Sequence, residues 1–151
     1  VRHAETVLVH ATAVAIDGAA ILLRGPPGSG KSDLALRLID GGARLIADDQ
    51  ARLRRVGAEV LVSAPEVIAG LIEIRGFGIV RVEPAGEAPL ALIVDLIPSG
   101  RVERMPEKEV ETVLDLAVPL IGLAPFEASA AAKLRLIRRA LAAGSLPAII
   151  G

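Results

Sequence analysis

Apolar and polar positions follow two different periods along this chain, and the changes of period mark its elements. Residues 6–16 form an apolar, β-branched run that predicts a strand. Asp17-Gly18, a strong two-residue hairpin signal, turns the chain back into a second apolar strand over residues 19–24. The pattern then becomes helical over residues 32–40, and Gly41-Gly42 stops it. A short strand over 43–47 closes on Asp48-Asp49. Residues 51–56 and 59–63 predict a hairpin about Gly57, and residues 65–70 a single helical turn. Residues 71–80 predict strand, glycine-flanked loop and strand; residues 84–89 are turn-rich; residues 90–96 predict a central strand. The apolar stretch 110–123 contains Pro119, so two short strands are expected rather than a helix. Residues 127–143 return to helical spacing, with Leu134, Ile137 and Leu141 on one stripe, Gly144 as cap and Pro147 as a stop. No role is assigned to residues 148–151.

The junction between the second strand and the first helix carries the chemistry. Gly25, Pro26, Pro27, Gly28, Ser29, Gly30, Lys31 and Ser32 fit G-x-x-x-x-G-K-[ST], the phosphate loop. Its glycines free the backbone, so that successive N–H groups can turn toward phosphate oxygens. The helix that opens at Lys31 adds orphan N–H groups and the positive end of a dipole. Lys31 is expected at the β- and γ-phosphates of a bound nucleotide, and Ser32 on Mg²⁺. The strand before and the helix after supply the context the motif requires. The hairpin that precedes it is unusual for such a protein.

Composition narrows the partners. The chain has 151 residues, enough for one domain with a sizeable core, and 52% of them are hydrophobic. Its aromatic residues are two Phe, so the core is aliphatic and stacking on single-stranded nucleic acid is disfavoured. A formal net charge of −1 gives no field for steering nucleic acid or an anionic membrane. The absence of cysteine excludes disulfides and thiolate metal sites. The first five residues do not open a signal peptide and no apolar run is long enough to span a bilayer, so a cytoplasmic protein is expected.

The acidic residues add a reaction to the binding site. Asp48 and Asp49 end an apolar strand soon after the phosphate loop. One carboxylate there can sit near a metal while the other takes a proton from an attacking hydroxyl. A solvated strand end is the plainer alternative. Glu73 and Arg75, two apart on a predicted strand, share a face and offer either a ligand beside a charge stabiliser or an ordinary surface pair. By itself, His10 in its apolar run reads as a buried histidine. Arg101 and Arg104 read as a solvated loop.

Taken together, the His10 strand and hairpin, the run Leu45-Ile46-Ala47-Asp48-Asp49 and the run Leu71-Ile72-Glu73-Ile74-Arg75-Gly76-Phe77-Gly78-Ile79 resemble the catalytic domain of the HPr kinase/phosphorylase family. These are bacterial enzymes that phosphorylate a serine on the phosphocarrier HPr. The resemblance runs from about Val7 to Ala142. It implies an α/β phosphate-loop domain with a mixed, hairpin-containing sheet and flanking helices, similar to the HPr kinase and phosphoenolpyruvate carboxykinase type. It implies ATP and Mg²⁺ as cofactors, an HPr-like protein as substrate and a hexameric ring. It also implies roles: Asp49 as the group exchanging the serine proton, His10 and Arg104 as active-site residues, Lys31 on the phosphates, Ser32 and Glu73 on magnesium. Two departures stand out. Typical members carry an N-terminal domain, whereas residues 1–151 read as a single kinase domain of the short proteobacterial type. The family's later loop is basic and glycine-containing, whereas residues 125–130 here hold no Lys, Arg or Gly, so the phosphorylase activity is less supported than the kinase activity. A small-molecule kinase and a non-catalytic nucleotide-binding module are the rival readings.

Overall fold

The computed structural model describes residues 6–144. The opening residues 1–5, Pro147 and the tail 148–151 lie outside them. The chain forms β1 (Thr6–Val9), β2 (Thr12–Ile16), β3 (Ala19–Arg24), α1 (Lys31–Asp40), β4 (Arg44–Ala47), β5 (Ala51–Val56) and β6 (Glu59–Ser63). A 3-10 turn (Glu66–Ile68) leads to β7 (Leu71–Ile74), β8 (Gly78–Arg81) and β9 (Ala88–Leu96). A second such turn (Ser99–Arg101) precedes β10 (Glu109–Val113), β11 (Leu116–Leu123) and α2 (Ala130–Ala142).

The strands make a mixed nine-stranded sheet and a separate β7–β8 hairpin. The spine of the large sheet is β9. One edge of β9 runs parallel to β3 from Leu90 to Asp95. Its other edge is divided: Ala88 and Pro89 pair antiparallel with β6, and Ile93 to Leu96 pair parallel with β11. The order across the functional end is therefore β11, β9, β3, β2, β4. The parallel strands β3, β9 and β11 all point their C-terminal ends the same way, and ligands of open α/β sheets gather at such ends.

Local chemistry accounts for most boundaries. Asp17 (φ 49°) and Gly18 (φ 80°) both adopt the left-handed conformation a two-residue hairpin turn requires. The helix α1 ends where Gly42 reaches φ 110°. Side chains alternate across β3 and β9, so Ile21, Leu23, Leu92 and Val94 face α1 and α2, while Ala20, Leu22 and Ile93 face the curled opposite layer. Leu34 and Leu38 of α1 and Leu134 of α2 fill the first layer, all fully buried. Arg138 of α2 holds the β2–β3 corner, donating to Ile16 O and Asp17 O at 3.1 Å each.

Three expectations need correction. Residues 6–16 are two strands, not one: β1 pairs with β5 and β2 with β3 and β4, so the run breaks at His10-Ala11 and His10 is exposed rather than buried. The break between β10 and β11 falls at Leu114-Asp115, both at positive φ, and Pro119 lies inside β11. Pro119 has no N–H to donate, and it sits just before β11 joins β9 at Leu120, where that donor is not needed. Finally, α2 begins at Ala130, because residues just before it form a turn against α1.

Candidate active site

The chain crosses from β3 to α1 through a loop whose Gly28 (φ 82°) and Gly30 (φ 99°) sit in the left-handed region. Alternation of this kind folds successive N–H groups toward one side, which is how a backbone nest for anions is made. Gly25 is demanded by space instead, since a Cβ there would lie 2.4 Å from Ser29 Oγ. The helix N-terminus is uncapped: Gly30 occupies the cap position, and no side chain satisfies the first N–H groups. Lys31 is only 8% exposed, and its Nζ donates to Gly25 O (2.7 Å) and Pro26 O (3.2 Å). Both acceptors are uncharged. A nearly buried ammonium held by carbonyls and paired with no carboxylate favours an anion beside it.

One strand pair further out, a hydrogen-bonded chain ties four segments together. Ser32 Oγ donates to Asp48 Oδ1 at 2.6 Å, and the buried Thr12 donates to the same oxygen at 3.1 Å. The N–H of Glu73 donates to Asp48 Oδ2 at 3.2 Å. Thr12 Oγ1 also accepts from the N–H of Asp49 at 3.1 Å. Asp49 itself is at φ 66°, a conformation aspartate tolerates but that still costs of order 1 kcal/mol. The bend turns its carboxylate away from Asp48 and toward His10, whose Nδ1 lies 3.9 Å from Asp49 Oδ1. Both side chains are largely exposed, at 82% and 63%. They therefore face whatever enters the cleft.

These parts line one cleft of about 760 Å³, a size suited to a small-molecule or nucleotide ligand. His10, Gly25, Pro26, Pro27, Gly28, Gly30, Lys31 and Ser32 line it, as do Asp49 and Glu73. Arg75 lines it too, from the turn after β7 rather than from the strand, and makes no ion pair with Glu73. Ser29 does not line it; its hydroxyl lies beneath the loop, buried and without a partner. Arg104 lies in the exposed loop before β10 and does not line the cleft. Two lining or supporting residues, Thr12 and Phe126, draw no role from the sequence, and a third, Asp48, draws one only jointly with Asp49. Asp48 is the acceptor that fixes Ser32, which the Asp-Asp pair alone could not assign. Thr12 looked like an ordinary β-branched strand residue. Phe126 lines the cleft and is 71% exposed, and its only sequence signal is aromaticity in a chain almost without it.

The donor set fits magnesium with a phosphate ligand. Ser32, Asp48 and Glu73 are hard oxygen donors, the type that ion prefers. Among the described residues no group of three or more His, Cys, Asp or Glu could hold a metal unaided. Magnesium characteristically takes one or two carboxylates and completes its shell with water and phosphate oxygens.

Fold and cleft together define a phosphate-loop domain with a carboxylate cluster at its open edge. The chain belongs to the HPr Serine kinase C-terminal domain family, which matches residues 2–123. It is 38% identical over 114 residues to the HPr kinase/phosphorylase of Geobacillus thermodenitrificans, covering 75% of this chain and 33% of that protein. It is 36% identical over 135 residues to the HPr kinase/phosphorylase of Stenotrophomonas maltophilia, covering 80% of this chain and 43% of that protein. The structure of the Hpr(Ser) kinase/phosphatase from Coxiella burnetii superposes with a TM-score of 0.75 at 27% identity, over 92% of this chain and 95% of that one. The chain thus spans less than half the length of those two relatives. Among the described residues no helix is long and apolar enough to cross a membrane.

Proposed function

We propose that this chain transfers the γ-phosphoryl group of ATP, with Mg²⁺, to a serine of an HPr-like phosphocarrier protein. The observation that carries the reading is the contact chain Ser32–Asp48–Thr12–Asp49–His10, which sets an exposed carboxylate beside a phosphate loop. The loop amides and Lys31 hold the β- and γ-phosphates and the charge that shifts between them. Ser32, oriented by Asp48, and Glu73 would hold the magnesium, which would neutralise phosphate charge. Asp49 accepts the proton of the serine hydroxyl as the oxygen forms its bond to the γ-phosphorus and the bond from that phosphorus to the bridging oxygen breaks, releasing ADP. His10 orients that carboxylate. Arg75, which lines the cleft, or Arg104, from the loop before β10, stabilises the equatorial oxygens of the transferring group. Catalysis of this kind is chiefly positioning and charge stabilisation.

The test is incubation with γ-labelled ATP, Mg²⁺ and an HPr-type protein, followed by location of the label. Label on a serine of the carrier is the expected result. Label released only as inorganic phosphate, or none transferred, overturns the reading. A cytoplasmic setting and a hexameric assembly belong to the same proposal, and light scattering measures the latter. The reverse, phosphorolytic reaction has less support, because the turn before α2 brings no basic side chain to the cleft.

A further inference from the structure

The cleft has two unlike flanks, and the sheet order explains why. The phosphate loop follows β3, in the middle of the order β11, β9, β3, β2, β4. Asp48 and Asp49 follow β4 on one side of it. Phe126 follows β11 on the other. A nucleoside triphosphate seated in the loop must present its terminal phosphate to the carboxylate flank, because the proton acceptor is there. Its nucleoside end then runs the opposite way, toward Phe126.

That ring is held in place. A Cβ at Gly30 would lie 3.0 and 3.1 Å from the ring atoms Cζ and Cε1, so the distal edge of Phe126 rests on the last glycine of the loop. The backbone on both sides of it is clamped to α1 by Arg37, which donates to Pro125 O and to Glu127 O. Arg37 is itself steadied by Asp33, one turn earlier on the same helix. Yet 71% of Phe126 is exposed, and Leu36, also exposed, lines the same cleft. An aromatic ring fixed by its backbone and one edge, with the rest open to a ligand cleft, is built for stacking rather than for core packing.

We infer that Phe126 is the nucleobase platform of this site, stacking on the purine of ATP whose phosphates occupy residues 25–32. The inference rests on the nucleotide-binding reading above and adds to it the direction in which the nucleotide lies. Stacking on a single aromatic contributes roughly a tenfold gain in affinity, within the range found for base–aromatic contacts.

The experiment compares two probes on the full chain, Mg-ATP and Mg-tripolyphosphate, which share the phosphates but not the base. Phe126→Ala is expected to weaken Mg-ATP about tenfold and to leave Mg-tripolyphosphate unchanged. The chain contains no tryptophan, so Phe126→Trp introduces a sole indole reporter. That variant should keep ATP affinity and show fluorescence quenching with ATP but not with tripolyphosphate. Equal weakening of both probes by Phe126→Ala, or no weakening of ATP, overturns the inference while leaving the phosphate-loop reading intact. Failure of the unsubstituted chain to bind either probe overturns both.

Discussion

Two acidic pairs lie near the end of the sheet that carries the phosphate loop, and they are held in opposite ways. Asp95 and Glu111 close on Arg24, the last residue of β3. The guanidinium donates to both Asp95 oxygens at 2.8 and 3.1 Å and to both Glu111 oxygens at 2.6 and 2.8 Å. Hydrogen bonds donated to Asp95 first, then to Glu111, outweigh partial burial and hold the Arg24 pKa above its usual range. Asp48 and Asp49 have no such cation. Asp48 accepts from two hydroxyls and an amide, and Asp49 leans only toward His10. Asp95, in register with Arg24 on the strand parallel to β3, looks by topology like the better catalytic acid. Its charge is already spent on Arg24. Being near the loop is thus insufficient; the carboxylate that can take a metal or a proton is the one left with neutral donors.

The largest effect expected from this contrast is at Asp49. Asp49→Asn should reduce phosphoryl transfer by roughly 10²- to 10⁴-fold while ATP affinity is retained, as single-turnover transfer and equilibrium binding would show. Near-normal transfer would mean that another group takes the proton. Asp48→Asn should come next. It weakens the acceptor that orients Ser32, and Mg²⁺-dependent ATP binding should fall by about 10- to 100-fold. A titration of ATP with and without Mg²⁺ checks this, and a loss equal in both would sink the assigned role. Arg24→Gln should act on stability rather than on chemistry. It strands two partly exposed carboxylates and should lower unfolding free energy by about 1–2 kcal/mol, read from denaturant midpoints. If it abolished ATP binding without loss of stability, the Arg24 cluster would belong to the site and the contrast would fail.

Much of this arrangement is legible in the chain because its cues are local. Asp17-Gly18, Gly41-Gly42 and the β5–β6 hairpin about Gly57 are set by turn chemistry within a few residues. The phosphate loop carries its geometry in its own glycines. What stays hidden depends on distant partners. Thr12 meets Asp48 across 36 residues, and Arg24 meets Asp95 and Glu111 across 71 and 87. No periodicity reports such pairings. The break at His10-Ala11 is invisible for the same reason: both halves are apolar and β-branched, and only their different partners, β5 and β3, part them. Motif and resemblance nominate Asp49, Lys31 and Glu73, all of which line the cleft, but Phe126 carries no motif and stands out only once Gly30 is beneath it.

The β7–β8 hairpin shares no ladder with the nine-stranded sheet, although it delivers Glu73 and Arg75 to the cleft. It is anchored by buried Ile72, by Ile74 and Val80 packed against the same core cluster, and by the Glu73 amide on Asp48. Two-stranded units are marginal alone, so this one is expected to open as a subglobal unit before the main sheet does. Its amides would then exchange with solvent deuterium sooner than those of β3 and β9. The cleft would then lose one wall while the main sheet stays folded.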